Sequence, residues 1–148
     1  MLPARPIQSF GAKRRQRRQI EQIRREPGRR PGILVVDLLV GKDVRAAVES
    51  YRSQNEALKD IPDDRRCYVR RDQALGPADM PKLIEEIRAA HAALISAGVD
   101  KVHYFHAGIC IAAALVGAEL GNSAQVILYH HGPGEYINFG PLRLPHAI

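Results

Sequence analysis

The chain has 148 residues, 45% of them hydrophobic, and a formal net charge of +6. Such a length and composition fit one globular domain with a core of its own and argue against a wholly disordered chain. Two cysteines are too few for a disulfide framework, and the longest charge-free apolar stretch, Ala107 to Ala118, is too short to span a bilayer. The expectation is therefore a soluble protein in a reducing, cytoplasmic setting, without a signal peptide.

The charge is unevenly placed. Residues 1–31 hold 10 Lys and Arg against 2 Asp and Glu, whereas the remainder holds 12 against 14. Basicity belongs to an amino-terminal arm whose sizeable apolar groups past the first two residues are Ile7, Phe10, Ile20 and Ile23. Such a segment cannot build a core. It reads as a solvated arm or a helix from about Ala12 to Arg25 whose isoleucines dock locally, as a phosphate-backbone contact through Lys13, Arg14, Arg15, Arg17 and Arg18, or as a surface packed on a partner chain. No aromatic alternates with the arginines, so stacking on single strands is not indicated.

After Pro31-Gly32, Ile33 to Val40 (ILVVDLLV) is almost wholly apolar, as expected of a central strand covered on both faces. Gly41-Lys42-Asp43 follows, with Asp43 a candidate N-cap for a helix from Val44 to about Leu58 whose Val44, Ala47, Val48 and Tyr51 share a face. Lys42 is then either a solvated turn residue or a cation beside an anionic ligand. Pro62-Asp63-Asp64 breaks the chain, and Arg65 to Arg71 predicts a second strand containing Cys67. A polar loop leads to Asp79, a candidate cap for a helix running to about Ala97, with Leu83, Ile87, Ala90 and Leu94 on one face and His91 at its border. Gly98 closes that helix.

Val102 to Tyr136 is the stretch around which the rest is arranged. It predicts a strand (Val102 to His106), a small-residue turn (Ala107, Gly108), an apolar helix to about Leu120 with a buried Cys110 at its start, a Gly-Asn turn, and a strand from Gln125 to Tyr129 ending in His130 and His131. Strand, crossover helix and strand of this length imply parallel pairing, with ligands bound beyond the carboxyl ends of the strands. After Gly132-Pro133-Gly134, Tyr136 to Leu144 predicts one or two short strand pieces at an edge. The whole predicts an α/β fold: a Rossmann-like three-layer sandwich with a mostly parallel sheet of four to five strands, occupying residues 32–148 behind the arm of residues 1–31.

If the four main strands are parallel, one rim carries Gly41, Lys42 and Asp43, then Arg70 and Arg71, then His106, Ala107 and Gly108, then His130 and His131. The Ala107-Gly108 turn opens a helix whose free N–H groups and positive dipole end favour a phosphate. Neither a GxGxxG fingerprint nor a Walker loop is present. His103, His106, His130 and His131 are not expected to form a metal site, because His103 and His106 point to opposite faces of a strand and no carboxylate supports them. No cofactor is expected. Cys110 reads as a packed thiol rather than a nucleophile.

The segment Met80 to Leu144, with VHYFHAG, IAAALVGAEL, VILYHH and a terminal GEYINFGPLRL, resembles the carboxyl-terminal half of a SAVED domain, the CARF-like Rossmannoid sensor of cyclic oligonucleotides in bacterial anti-phage (CBASS) and CRISPR systems. Ile33 to Tyr68 fits the preceding strand-helix-strand less specifically. The resemblance implies binding of a cyclic oligonucleotide, oligoadenylate by preference, in antiviral defence. Lys42, Arg70 and Arg71 would meet phosphates, Ala107 and Gly108 would offer backbone N–H groups, and His106, His130, His131 and Tyr136 would line the base or ribose pocket. A full SAVED domain looks like two fused CARF-like halves and this chain has room for one, so the resemblance implies an oligomer, or docking to an effector protein. The alternatives are a stand-alone, metal-independent ring nuclease using His106, His130 or Lys42, although the reading leans away from an enzyme, and a nucleic-acid-binding module acting through the arm.

Overall fold

A computed structural model of the chain describes residues 10–25, 28–121, 124–131 and 135–143. Its elements are α1 (Phe10–Arg25), β1 (Pro31–Asp37), α2 (Arg45–Gln54), β2 (Arg66–Arg70), α3 (Met80–Ser96), β3 (Lys101–Ala107), α4 (Cys110–Leu120), β4 (Gln125–His131) and β5 (Tyr136–Pro141). The strands form one sheet in the order β2-β1-β3-β4-β5, parallel through β4, with β5 antiparallel at the edge. Ile7, Asn122 of the Gly-Asn turn, Gly132-Pro133-Gly134 and Leu144 lie outside the described residues.

Period-two alternation along the central strands divides the core between two layers. Leu34, Val36, Val102, Tyr104 and Val126 face Leu83, Ile87 and Leu94 of α3 and Ala112, Val116 and Leu120 of α4. Ile33, Val35, Phe105, Ile127 and Tyr129 face Val48 and Tyr51 of α2, with Ile23 of α1 packed at the same layer. The architecture is thus a Rossmann-like α/β sandwich with a mostly parallel sheet. Phe105 is the centre of the second layer, stacked on Tyr129 with centroids 4.3 Å apart and edge-on to Tyr136.

Three element ends differ from the expectation, each for a local reason. The first strand stops at Asp37 rather than Val40, because the Asp37 carboxylate accepts the N–H groups of Leu39 and Val44 and turns the chain. The second helix stops at Gln54, where Asn55 turns extended and its side-chain oxygen accepts the Ala57 N–H; Leu58 is buried from the turn instead. The third helix starts without a side-chain cap, because Asp79 reaches back to the Gly76 N–H, whereas Asp43 accepts the N–H of Arg45 at the start of α2, as expected of a cap. Gly98, at φ +76, ends α3 with paired bonds from its own N–H to the Ile95 carbonyl and from Val99 to Leu94, a Schellman closure.

Cys67 is half-buried, and burial pushes its thiol up. Cys110 is exposed, not packed: it occupies the first position of α4, whose buried side is set two residues later by Ala112. Among the described residues no helix is long and apolar enough to cross a membrane, and no three His, Cys, Asp or Glu side chains converge to hold a metal.

Candidate functional site

The carboxyl ends of β1, β3 and β4 open into a cleft of about 470 Å³ lined by Leu39, Lys42, Asp43, Val44, Ala47, His106, Ala107, Gly108, His130 and His131. That volume lies in the range of sites for small organic ligands. A hollow of about 620 Å³ exists at the opposite, amino-terminal end of the sheet, between residues such as Val99, Asp100, Gln125 and Arg143. It lacks the strand ends and the helix start that favour a ligand in open α/β sheets. The rim is therefore the candidate site.

One wall is the loop between β1 and α2. Its anchor is Asp37, 3% exposed, whose two oxygens accept from Leu39 at 3.3 Å and Val44 at 3.1 Å. Gly41 takes φ +72, and its N–H donates to Asp72 on the neighbouring loop at 2.8 Å. Lys42 is carried exposed at the tip of this wall. Arg70, at the end of β2, clamps the outside: it donates to Asp43 Oδ2 and to the Lys42 carbonyl at 3.3 Å each, and its Nε lies 3.6 Å from Asp37 Oδ2. Its charge is largely answered by Asp37 and Asp43, so it shapes the wall more than it offers a cation.

The floor is the β3–α4 turn. Leu38 N–H donates to the Ala107 carbonyl at 2.8 Å, which continues the β1–β3 pairing into the turn. Gly108 takes φ +121, and a Cβ there would stand 2.7 Å from Leu38 Cβ. Only glycine fits, and its bare backbone leaves the floor open to close approach. The N–H groups of the first turn of α4 begin two residues later, with the positive end of the helix dipole at this rim.

His106 is held rather than free. Its Nε2 hydrogen-bonds the Ile109 carbonyl at 3.0 Å, and its Nδ1 meets the Tyr104 hydroxyl. A carbonyl only accepts, so Nε2 carries the proton and Nδ1 accepts from Tyr104. Burial pushes the pKa of His106 below its ordinary value, partly offset by the carbonyls of Ile109 and Gly108, and favours the neutral ring. His130 and His131, at the end of β4, are both exposed on the far wall; His130 stacks edge-on with Phe139 and His131 with Tyr136.

Lys42, His106, Ala107, Gly108, His130 and His131 thus share one cleft, with Arg70 at its outer edge. Arg71 and Tyr136 are not brought into the group. Arg71 turns towards α3 and makes a two-pronged pair with Glu86 at 2.8 and 3.2 Å. Tyr136, 2% exposed, packs behind the cleft against Phe105 and Tyr51, and burial with the nearby Asp37 charge pushes its phenol up to about 12. Asp37, the anchor of the wall, has no part in the sequence-based site. Its signal is visible afterwards as the single carboxylate inside ILVVDLLV, since a charge in a buried strand requires local donors.

No family model matches the chain, and no curated protein matches it. Among solved structures it is similar to the Cap4 SAVED/CARF-domain containing receptor of Acinetobacter baumannii. With the receptor holding the cyclic trinucleotide 2'3'3'-cAAA, the TM-score is 0.60 at 18% identity, over 79% of this chain and 26% of that one. With 3'3'3'-cAAA, the TM-score is 0.55 at 19% identity over the same shares, and for the receptor alone it is 0.52 at 21% identity over 74% and 24%. The chain spans about a quarter of the length of these receptors. Its fold is SAVED/CARF-like.

Proposed function

We propose that the cleft at the carboxyl ends of β1, β3 and β4 binds a cyclic oligonucleotide, with oligoadenylate the preferred class. The observation that supports this most is the convergence of Lys42, the open Gly108 floor, the start of α4 and His130 and His131 around one cleft, in a fold shared with receptors solved with cyclic trinucleotides. Lys42 and the first N–H groups of α4 meet phosphates, Ala107 and Gly108 allow a ribose or phosphate close to the backbone, and the imidazoles of His130 and His131 flank a base. Arg70 holds the Lys42 loop in place. On this reading the chain is a cytoplasmic sensor subunit of bacterial antiviral defence. It forms half of a composite pocket and signals by dimerising or docking to an effector.

Isothermal calorimetry with cyclic di-, tri-, tetra- and hexanucleotides tests the reading. Binding of one of them with Kd below about 10 μM, about −7 kcal/mol, is expected; no binding across the panel rejects it. A hydrolytic role would fall to His130 and Lys42, because both ring nitrogens of His106 are engaged. Chromatography of cyclic oligoadenylate after hours with the protein and EDTA separates the two, since a sensor leaves the ring intact.

A further inference from the structure

The cations of the amino-terminal segment lie on one side of a docked helix. The half-buried residues of α1 are Ala12, Gln16, Ile20 and Ile23, a stripe at helical spacing. That stripe rests on the sheet edge. Ile23 joins the aromatic layer, the buried Lys101 donates to the Ile23 carbonyl at 3.3 Å, and Arg24 and Asn138 of β5 exchange side-chain to backbone bonds at 3.1 and 3.3 Å. Gly140, at φ +89, permits the close approach; a Cβ there would meet Arg24 Cγ at 3.3 Å.

Docking leaves the opposite side to cations. Arg14, Arg18, Glu21 and Arg25 fall at i, i+4, i+7 and i+11, with Lys13, Arg15 and Arg17 on the flanks, all exposed. The ion pair within α1 is Glu21 with Arg24; no described acidic group pairs with Arg14, Arg15, Arg17, Arg18 or Arg25. This placement costs stability twice. Like charges three and four apart repel, and Lys13 stands at the positive end of the helix dipole in a first turn without an acid. A fold that carries this load on a packed helix gains it back when a polyanion answers the charge.

We propose that the outward face of α1 docks the phosphate backbone of duplex nucleic acid. Arg14 to Arg25 spans about 16 Å of helix, about five base-pair steps of phosphates. A membrane surface fits less well, because an interfacial helix must insert an apolar face, and Ile20 and Ile23 are turned to the sheet edge, which leaves Phe10 as the one exposed apolar side chain of α1. An extended single strand fits less well too, since the outward row carries one exposed aromatic, Phe10, where strand binding stacks successive bases on several.

Fluorescence anisotropy of the full chain with a labelled 20-base-pair DNA tests this. The expected result is binding at 50 mM salt with a log-log salt slope of about −3 to −4, from about four neutralised phosphates at −0.9 each. The variant Arg14→Gln/Arg15→Gln/Arg17→Gln/Arg18→Gln should bind at least about 100-fold more weakly, and the matching four Arg→Lys replacements should restore binding, because the contact is to charge. If the Gln set does not fold, the smaller variant Arg14→Gln/Arg18→Gln, confined to two exposed side chains, carries the test, with a loss of about tenfold expected and undiminished binding overturning the proposal. No duplex binding at 50 mM salt, undiminished binding by a folded Gln variant, or tighter association with phosphatidylserine vesicles than with DNA would each overturn the proposal. Cyclic-oligonucleotide affinity in the Gln variant should be unchanged, which keeps this outcome separate from that of the cleft.

Discussion

The buried carboxylate of Asp37 accepts the backbone N–H of Val44 at 3.1 Å, tying the end of β1 to the start of α2 across the loop that carries Lys42. The same oxygen lies 3.6 Å from Arg70 Nε. One side chain therefore shapes the wall of the cleft without lining it, and its removal acts on fold and site together.

Asp37→Ala leaves the partly buried Val44 and Leu39 N–H groups without their acceptor, while Arg70 keeps Asp43 and the Lys42 carbonyl. A loss of about 1–3 kcal/mol in urea denaturation is expected, with an unchanged m-value. Ligand affinity should fall as well, because Lys42 loses its fixed position. A variant within about 0.5 kcal/mol of the parent would show that the loop is held by other means.

Lys42→Ala and His130→Ala act on exposed side chains in the cleft. Each should leave the melting temperature within a degree or two and weaken cyclic-oligonucleotide binding about tenfold, about 1.4 kcal/mol. The Arg71→Ala variant is the matched control: it breaks the pair with Glu86 and should leave affinity alone. Calorimetry on the three proteins decides, and equal losses for Arg71 and Lys42 would move the site away from this cleft.

Gly108→Ala places a Cβ 2.7 Å from Leu38 Cβ and 3.1 Å from its carbonyl carbon, at φ +121. A destabilisation of about 1–3 kcal/mol is expected, together with weaker ligand binding, since the floor rises. Thermal melts with and without ligand measure both effects. Tyr129→Phe removes the hydroxyl that meets His103 Nδ1 at 2.8 Å in the opposite layer; it should cost about 1–2 kcal/mol without changing affinity.

His106 supplies a pH dependence. Its folded pKa lies below the ordinary value of 6.5 because of burial. As pH falls through about 6.5 the unfolded chain takes up a proton that the folded chain refuses, so stability drops towards acid and stops dropping below the folded pKa. Denaturant titrations between pH 8 and 5.5, above the carboxylate range, should show a shallower fall for His106→Gln than for the parent. Parallel curves would mean that His106 does not carry the effect.

The order of strands and helices was legible because the local signals are strong and agree. ILVVD reads as a doubly covered strand, Gly98 ends α3 by the positive φ that glycine alone adopts cheaply, and the VHYFHAG to VILYHH unit implies a parallel crossover. Parallel pairing then places the ends of β1, β3 and β4 on one rim, so Lys42, His106, Gly108 and His130 were reachable from the chain as candidates for one site. What the side chains do there is a matter of neighbours distant in sequence. Asp43 and Asp37 answer the charge of Arg70, Glu86 draws Arg71 away, Tyr104 and Ile109 occupy both nitrogens of His106, and Phe105 with Tyr51 buries Tyr136. Local propensity depends on residues three or four apart and can be read along the chain. Charge compensation and burial are settled by residues from 2 to 85 positions away, and only the folded sheet, with α1 closed over β5, decides which cations remain available.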